Sequence, residues 1–304
     1  MTDMADLSAA GAGAAGAGAA GAGAAGAPVA ARDDGVVWGW RLSWLRMRAI
    51  AIRHAYVLLR SPHRLFDVVL WPVVDVLLFG SLATFVASGH TSGSARAAAY
   101  LIAGIVLWHV VYQSQIAVST GVLEESWSRN MLNLMVSPIT AFEYVAGVAL
   151  FGLLKMAGAL GLVTVGAAIF FSFDVPALGW GLLPIFAILL FVGWAIALFV
   201  VGVVFRYGAG AEALAWGVLF VVMPLSGIFY PVSALPGFLQ PLALSLPTTH
   251  AFIALRALVD GRGIEWNQLA LAAVLTVVLL ALSLLYVTKM IALFRKRGYI
   301  TRYS

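Results

Sequence analysis

Ionisable side chains inside long apolar runs are the residues of this chain with the most chemistry to offer, because charge in hydrocarbon is costly and marks function or a structural lock. Asp67 and Asp75 fall in one such run and Lys155 in another. The two aspartates are eight positions apart, about 80° around a helix, so they need not face one another. Asp67 follows Arg64 closely and reads as a hydrated acid at the membrane boundary. Asp75 lies deeper, one turn after Pro72, whose ring frees a backbone carbonyl. Lys155 is expected to pair with Asp75 or another acid across helices, as a lock in preference to a substrate contact. Gln113, Ser114 and Gln115 either line a passage or bond to neighbouring helices, and His109 beside Trp108 reads as a packing residue.

Other chemistries are excluded by spacing. The lysines are Lys155, Lys289 and Lys296, none preceded by glycine, so no Gly-Lys-Ser/Thr phosphate loop exists and ATP has no such site on this chain. His54, His63, His90, His109 and His250 are too scattered for a His-Glu-x-x-His zinc site, and no Gly-x-Ser-x-Gly elbow is present. With no cysteine, thiolate metal sites and disulfides are absent too. No cofactor is expected on the chain.

The elements that must position these residues are membrane helices. Of the 304 residues 62% are hydrophobic and 10% charged, and the mean hydropathy is +0.99, outside the range of soluble domains. A span needs about 20 apolar residues. Six candidates follow: Leu65–Ala87, Ala97–Thr120, Phe142–Phe171, Leu178–Phe205, Ala213–Tyr230 and Leu269–Phe294. Their unbroken apolarity excludes the alternation of barrel strands, so the fold class is an all-α polytopic membrane protein.

Arginine and lysine are sorted across these spans. One side holds Arg32, Arg41, Arg46, Arg48, Arg53, Arg60, Arg64, Arg129, Arg206, Arg295, Lys296, Arg297 and Arg302; the other holds Arg96, Arg256 and Arg262. The positive-inside rule then puts both termini in the cytoplasm. The net charge of +5 reflects this topology and does not call for nucleic acid.

Residues 1–35 read as a disordered tail built on Gly-Ala-Gly-Ala-Ala repeats from Gly11 to Ala25, with no side chain able to build a core. Residues 36–304 form the membrane domain. At its start, residues 38–60 read as an amphipathic helix on the inner surface, with Arg46, Arg53 and Arg60 on one stripe and Trp44, Met47, Ala51 and Leu58 roughly opposite, Trp40 adding an aromatic anchor in the headgroup layer. Packing on another subunit is the alternative. Between spans two and three, Glu124, Glu125, Trp127, Arg129, Met131, Leu134 and Met135 make a short amphipathic helix that needs a cover, either a protein partner or the chain's own spans. From Tyr230 to Arg262 prolines at 231, 236, 241 and 247 break an apolar segment. Short helical pieces re-entering the outer half of the membrane fit it, and an ordinary outer loop is the alternative.

Four stretches together resemble ABC-2 type transporter permeases, the membrane subunits of one class of ATP-binding cassette exporters: LWPVVDVLLFG at 70–80, LEESWSRNMLNLMVSP at 123–138, SGIFYPVSALP at 226–236, and LPTTHAF at 246–252 followed by Leu255 and Arg256. The likeness runs in order from about Trp38 to the C-terminus. It implies a six-span permease in the cytoplasmic membrane, paired as a homodimer or with a similar permease, with a separate ABC ATPase beneath that binds ATP and Mg. It further implies a coupling helix to that ATPase at Glu124–Met135 (Glu124, Glu125, Trp127, Arg129, Met131), an interfacial helix bearing Trp40, Trp44, Arg46 and Arg53, and an outer hairpin at Pro231–Asp260 whose Tyr230, Pro231, Pro236 and Phe238 form a gate. Cargo would be amphipathic or hydrophobic: a drug-like molecule, a lipid or a lipid-linked glycan. A polytopic scaffold and an ion-driven secondary transporter are the competing readings; the latter lacks the expected internal duplication.

Overall fold

The computed structural model describes residues 40–89, 93–127, 137, 139–211 and 213–297. The Gly/Ala tail expected at 1–35 lies outside them. The described chain is helical, without strands: α1 (Trp40–Leu59), α2 (Pro62–Ser88), α3 (Ser94–Trp127), α4 (Ala141–Phe171), α5 (Leu182–Tyr207), α6 (Ala213–Leu225), α7 (Gln240–Leu244), α8 (Pro247–Val259) and α9 (Trp266–Arg297), with short 3-10 turns at Pro176–Gly181, Ala209–Ala211 and Val232–Ala234.

Among the described residues, five helices are long and apolar enough to cross a membrane: Arg64–Ser88, Ser94–Glu125, Phe142–Phe171, Pro176–Tyr207 and Trp266–Leu293. The fifth expected span, Ala213–Tyr230, forms a helix only as far as Leu225. Its 13 residues rise about 20 Å, short of the roughly 30 Å hydrocarbon core. The reason is local. Pro224 occupies the last turn, and Gly227 follows at φ +60°, a left-handed conformation that ends the helix. α1 is 20 residues long but carries Arg41, Arg46, Arg48 and Arg53 and is not among the crossing helices.

The core sits on α3. Its most apolar window is 94% buried, against 22% for those of α2 and α9, and it packs on α2, α4, α5, α6 and α8. Lipid tails are as apolar as leucine, so helices join here through close packing more than through hydrophobic transfer. Glycine supplies the close approaches. A Cβ on Gly147 of α4 would meet the Ile50 Cβ at 2.7 Å and the Met47 carbonyl oxygen at 2.8 Å, so α1 lies almost backbone to backbone on α4. A Cβ on Gly193 of α5 would lie 2.8 Å from the Val111 carbonyl oxygen of α3.

The polar face of α3 is largely satisfied within the helix. Ser114 donates to the Val111 carbonyl (3.1 Å) and Thr120 to that of Ile116 (2.7 Å). The Gln115 amide donates to the Ser119 hydroxyl (3.1 Å). Ser114 and Gln115 therefore hold helix geometry in the core, while Gln113 alone of the three faces a cavity.

Candidate functional site

At the end of the bundle where α1 meets α2, α3 and α4, arginines and glutamates interlock. Arg46 reaches Glu143 at 3.2 Å. Arg53 grips Glu125 with both guanidinium nitrogens, at 2.7 and 3.2 Å. Arg64 meets Glu124 at 2.6 Å, and the Nδ1 of His54 lies 3.8 Å from the same carboxylate. Sequence explains each placement. Arg46 and Arg53 are seven apart and share an α1 stripe. Glu143 is the third residue of α4, where it closes a capping box: its backbone N–H donates to the Thr140 hydroxyl and its carboxylate accepts from the Thr140 N–H. Its carboxylate is thereby held in reach of Arg46.

These pairs bear on two expectations. Arg46 and Arg53 do not stand alone: they pair with carboxylates of α4 and α3 beside the buried Ile50, Ala51 and His54, while Trp40 and Trp44 are exposed. Glu124 and Glu125 do not belong to a separate helix either. Both lie in the last turns of α3, and Glu125 is only 1% exposed. Their charges are committed to α1 and α2. Trp127 ends α3, and Arg129 and Met131 lie outside the described residues.

Behind this belt opens a cavity of about 320 Å³ bounded by all of α1, α2, α3, α4 and α6. His54, Arg64, Thr120 and Glu124 line its inner end; Trp71, Phe151 and Trp216 supply aromatic walls, and Tyr112, Gln113 and Lys155 its far end. The depth follows from helix register. Gly152 of α4 stands against Ala117 of α3, and Gly121 against Val148, so the helices are antiparallel and Lys155 is level with the turn containing Gln113. From Glu124 to Tyr112 the cavity extends about 18 Å along α3.

Asp75 meets His109, with the Asp75 Oδ2 3.5 Å from the His109 Nε2. Nδ1–H of His109 donates to the Ile105 carbonyl at 3.0 Å, while Nε2 approaches Asp75 without a hydrogen bond. The pairing had a signal in the sequence. Asp75 lies 13 residues before Ser88 at the end of α2, His109 15 residues after Ser94 at the start of α3, so the two reach nearly the same depth in a hairpin. No side chain of Asp67 is described.

The opposite end is closed by another polar cluster. Asp260 accepts from Tyr100 and pairs with Arg96 (3.3 Å) and Arg262 (3.1 Å). Burial alone would raise its pKa, but the Tyr100 and Arg262 hydrogen bonds with the charges of Arg96 and Arg262 hold it below the usual carboxylate range. Arg256 donates to the Tyr230 carbonyl at 2.7 Å and lies over the Tyr100 ring. All three arginines assigned to this side by sequence therefore meet in one place. The expected hairpin is built of short pieces, as its prolines require: the turn Val232–Ala234, capped by Pro231, then α7 and α8. Hydroxyls pin them, with Ser226 and Thr248 2.6 Å apart and Thr249 donating to the Ala243 carbonyl at 2.6 Å. His250 bridges the Leu244 carbonyl (2.9 Å) and Gln268 (2.7 Å). Among the expected gate residues, the Tyr230 hydroxyl donates to the Pro224 carbonyl at 2.9 Å, the Pro236 carbonyl accepts from the Leu239 N–H at 2.8 Å, and Phe238 stands 80% exposed at the tip.

Among the described residues, five helices long and apolar enough to cross a membrane, one of them buried at the centre of the bundle, define a multi-pass integral membrane protein. Residues 46–259 match the ABC-2 type transporter family model, more than half of the chain, and the protein belongs to that family. It is thus a permease component of an ABC transporter. No curated protein sequence matches it closely enough to add to this assignment.

Proposed function

We propose that the chain is the membrane-spanning permease of an ABC exporter that moves an amphipathic or hydrophobic molecule out across the cytoplasmic membrane, driven by a separate ATPase subunit. The observation that carries this reading is the family match over 46–259, since the family implies association with an ABC ATPase. The charge sorting of the sequence supports an orientation with both termini and the ion-pair belt in the cytoplasm. α6 and the residues after it complete a sixth crossing, α1 lies in the inner interface with its tryptophans toward lipid, and two copies pair about a two-fold axis. ATP and Mg bind the partner.

In this scheme the ATPase engages the segment that follows Trp127, with Arg129 and Met131 as contacts, and the belt carries the motion onward. A push on the end of α3 reaches α1 through Arg53 and Glu125, α2 through Arg64 and Glu124, and α4 through the adjoining Arg46 and Glu143. Outer closure falls to the hairpin from Tyr230 through Pro231, Pro236 and Phe238 to Asp260, re-entering the membrane. Purification of the tagged chain in mild detergent tests the reading: an ABC ATPase should co-purify in a stable complex. A chain that never retains one under conditions where it stays monodisperse would contradict it.

A further inference from the structure

The fixed charges that line the cavity are all engaged. Arg64 and Glu124 pair at 2.6 Å, and Lys155 has a partner of its own. What the lining leaves open is a neutral group. His54 is 5% exposed, yet its Nε2 has no hydrogen-bond partner among the described residues. Burial, opposed by the charges of Glu124 and Glu125, holds its pKa below the ordinary 6.5, so the ring is uncharged near neutrality. Its Nδ1 lies 3.8 Å from the Glu124 carboxylate, and a carboxylate favours the proton on the ring nitrogen that faces it. Nε2 is then a bare acceptor. A buried acceptor without a donor is costly, and no described residue supplies one. The surroundings are aromatic. The His54 ring stacks on that of Phe151 with centroids 5.7 Å apart, and Trp71, Tyr112 and Trp216 line the same space from three other helices. Such walls favour a flat, apolar body between them.

We infer that this cavity is a binding site for an uncharged, planar phenolic compound, whose rings lie among the aromatic walls and whose hydroxyl donates to the His54 Nε2. Its 320 Å³ falls at the small end of ligand pockets, matching a molecule of two or three fused or linked rings. A carboxylate at this end would face the Glu124 charge and bring a second acceptor to Nε2. An ammonium would give up its hydration beside Arg64, with Glu124 already paired. A two-chain phospholipid would exceed the volume. That such a phenol is cargo rests on the permease reading; that it binds here does not.

The test uses the full chain in phosphatidylcholine nanodiscs and 3-hydroxybenzophenone, a neutral phenol that cross-links on illumination. Its methyl ether, 3-methoxybenzophenone, and the anion 3-benzoylbenzoate serve as controls. The phenol should label saturably, in peptides containing His54, Trp71, Phe151 or Trp216. It should bind about three- to tenfold more tightly than the ether, the worth of one neutral hydrogen bond, with the anion weakest. His54→Phe keeps a ring against Phe151 and removes the acceptor; it should erase the preference for phenol over ether while the ether stays within about twofold of the parent. His54→Gln restores an acceptor and should recover part of the preference. Trp216→Ala, which leaves His54 in place, should weaken both neutral probes about fivefold and provides the reading if the His54 variants do not fold. Equal binding of phenol and ether to the parent, a preference that survives His54→Phe, binding unchanged in Trp216→Ala, or labelling confined to α9 would overturn the site. Strongest labelling by the anion would overturn the ligand class. Specific labelling of a chain that retains no ATPase would support the site and fault the permease reading alone.

Discussion

Replacing Arg53 by methionine keeps an unbranched, flexible stem and removes the charge that Glu125 faces. The Glu125 side chain is 2% exposed, that of Arg53 45%. Stripping the partner from a fully buried carboxylate costs about 3–5 kcal/mol. Water reaching Arg53 screens the pair, so the two-pronged geometry at 2.7 and 3.2 Å is worth about 1.5–3 kcal/mol, the range of hydrogen bonds to charged groups. At about 2–4 °C per kcal/mol for a chain of this size, Arg53→Met should lower the apparent unfolding temperature in detergent by roughly 3–12 °C. Glu125→Gln removes the buried charge but retains an acceptor and should cost less. The double variant should fall no lower than Arg53→Met, because the second change removes the charge that Arg53 neutralises; the cycle then gives a coupling of about 1–2 kcal/mol. Fluorescence-detected gel filtration after heating measures all four proteins. Two single shifts that simply add, or an Arg53→Met protein within about 1 °C of the parent, would refute the claim that this pair ties α1 to α3.

The close approach of α1 and α4 makes Gly147→Val an overpacking change: its Cβ would collide with Ile50 and the Met47 carbonyl, at about 1–3 kcal/mol, and the same heating assay should register a drop that Gly158→Val, with open space around it, does not share. His54 gives a pH signature. Burial, opposed by Glu124 and Glu125, holds its pKa below the ordinary 6.5. The unfolded chain therefore takes up a proton first, and stability falls as pH drops from about 6.5 toward the lowered folded value; His54→Gln should flatten that part of the pH profile of unfolding temperature. The natural absence of cysteine makes the topology directly readable, since Ser88→Cys and Asp174→Cys should react with an impermeant maleimide from outside whole cells and Ser137→Cys only after permeabilisation. Ser137→Cys labelled in intact cells would overturn the orientation.

Sequence made the helical class legible because a span is a composition over about 20 residues and needs no partner. It made the hairpin's broken character legible because proline acts locally. It failed where the answer depended on what stood opposite. Periodicity placed Arg46 and Arg53 on one stripe, but only the carboxylates brought up by α3 and α4 decide that the stripe faces protein. Glu124 and Glu125 read as the start of a surface helix because charges usually mark an end; α3 instead runs on to Trp127, its acids neutralised from two other helices. The end of α6 was misjudged by apolarity, which continues past Leu225 while Pro224 and the positive φ of Gly227 stop the helix. Asp75 and His109 could have been matched by depth, but with Lys155 the nearest opposite charge by type, residue chemistry outweighed register. The cavity itself, assembled from five helices, had no contiguous trace.

The central claim is tested most directly by reconstituting the purified complex of this chain and its co-purifying ATPase in proteoliposomes and following a fluorescent amphipathic molecule across the bilayer with and without ATP. The account predicts movement into the compartment opposite the ATPase that requires ATP and Mg, stops when the catalytic glutamate of the partner is replaced, and slows in the Arg53→Met chain while the ATPase still hydrolyses ATP. Movement at the same rate without ATP, or driven by an ion gradient alone, would contradict it.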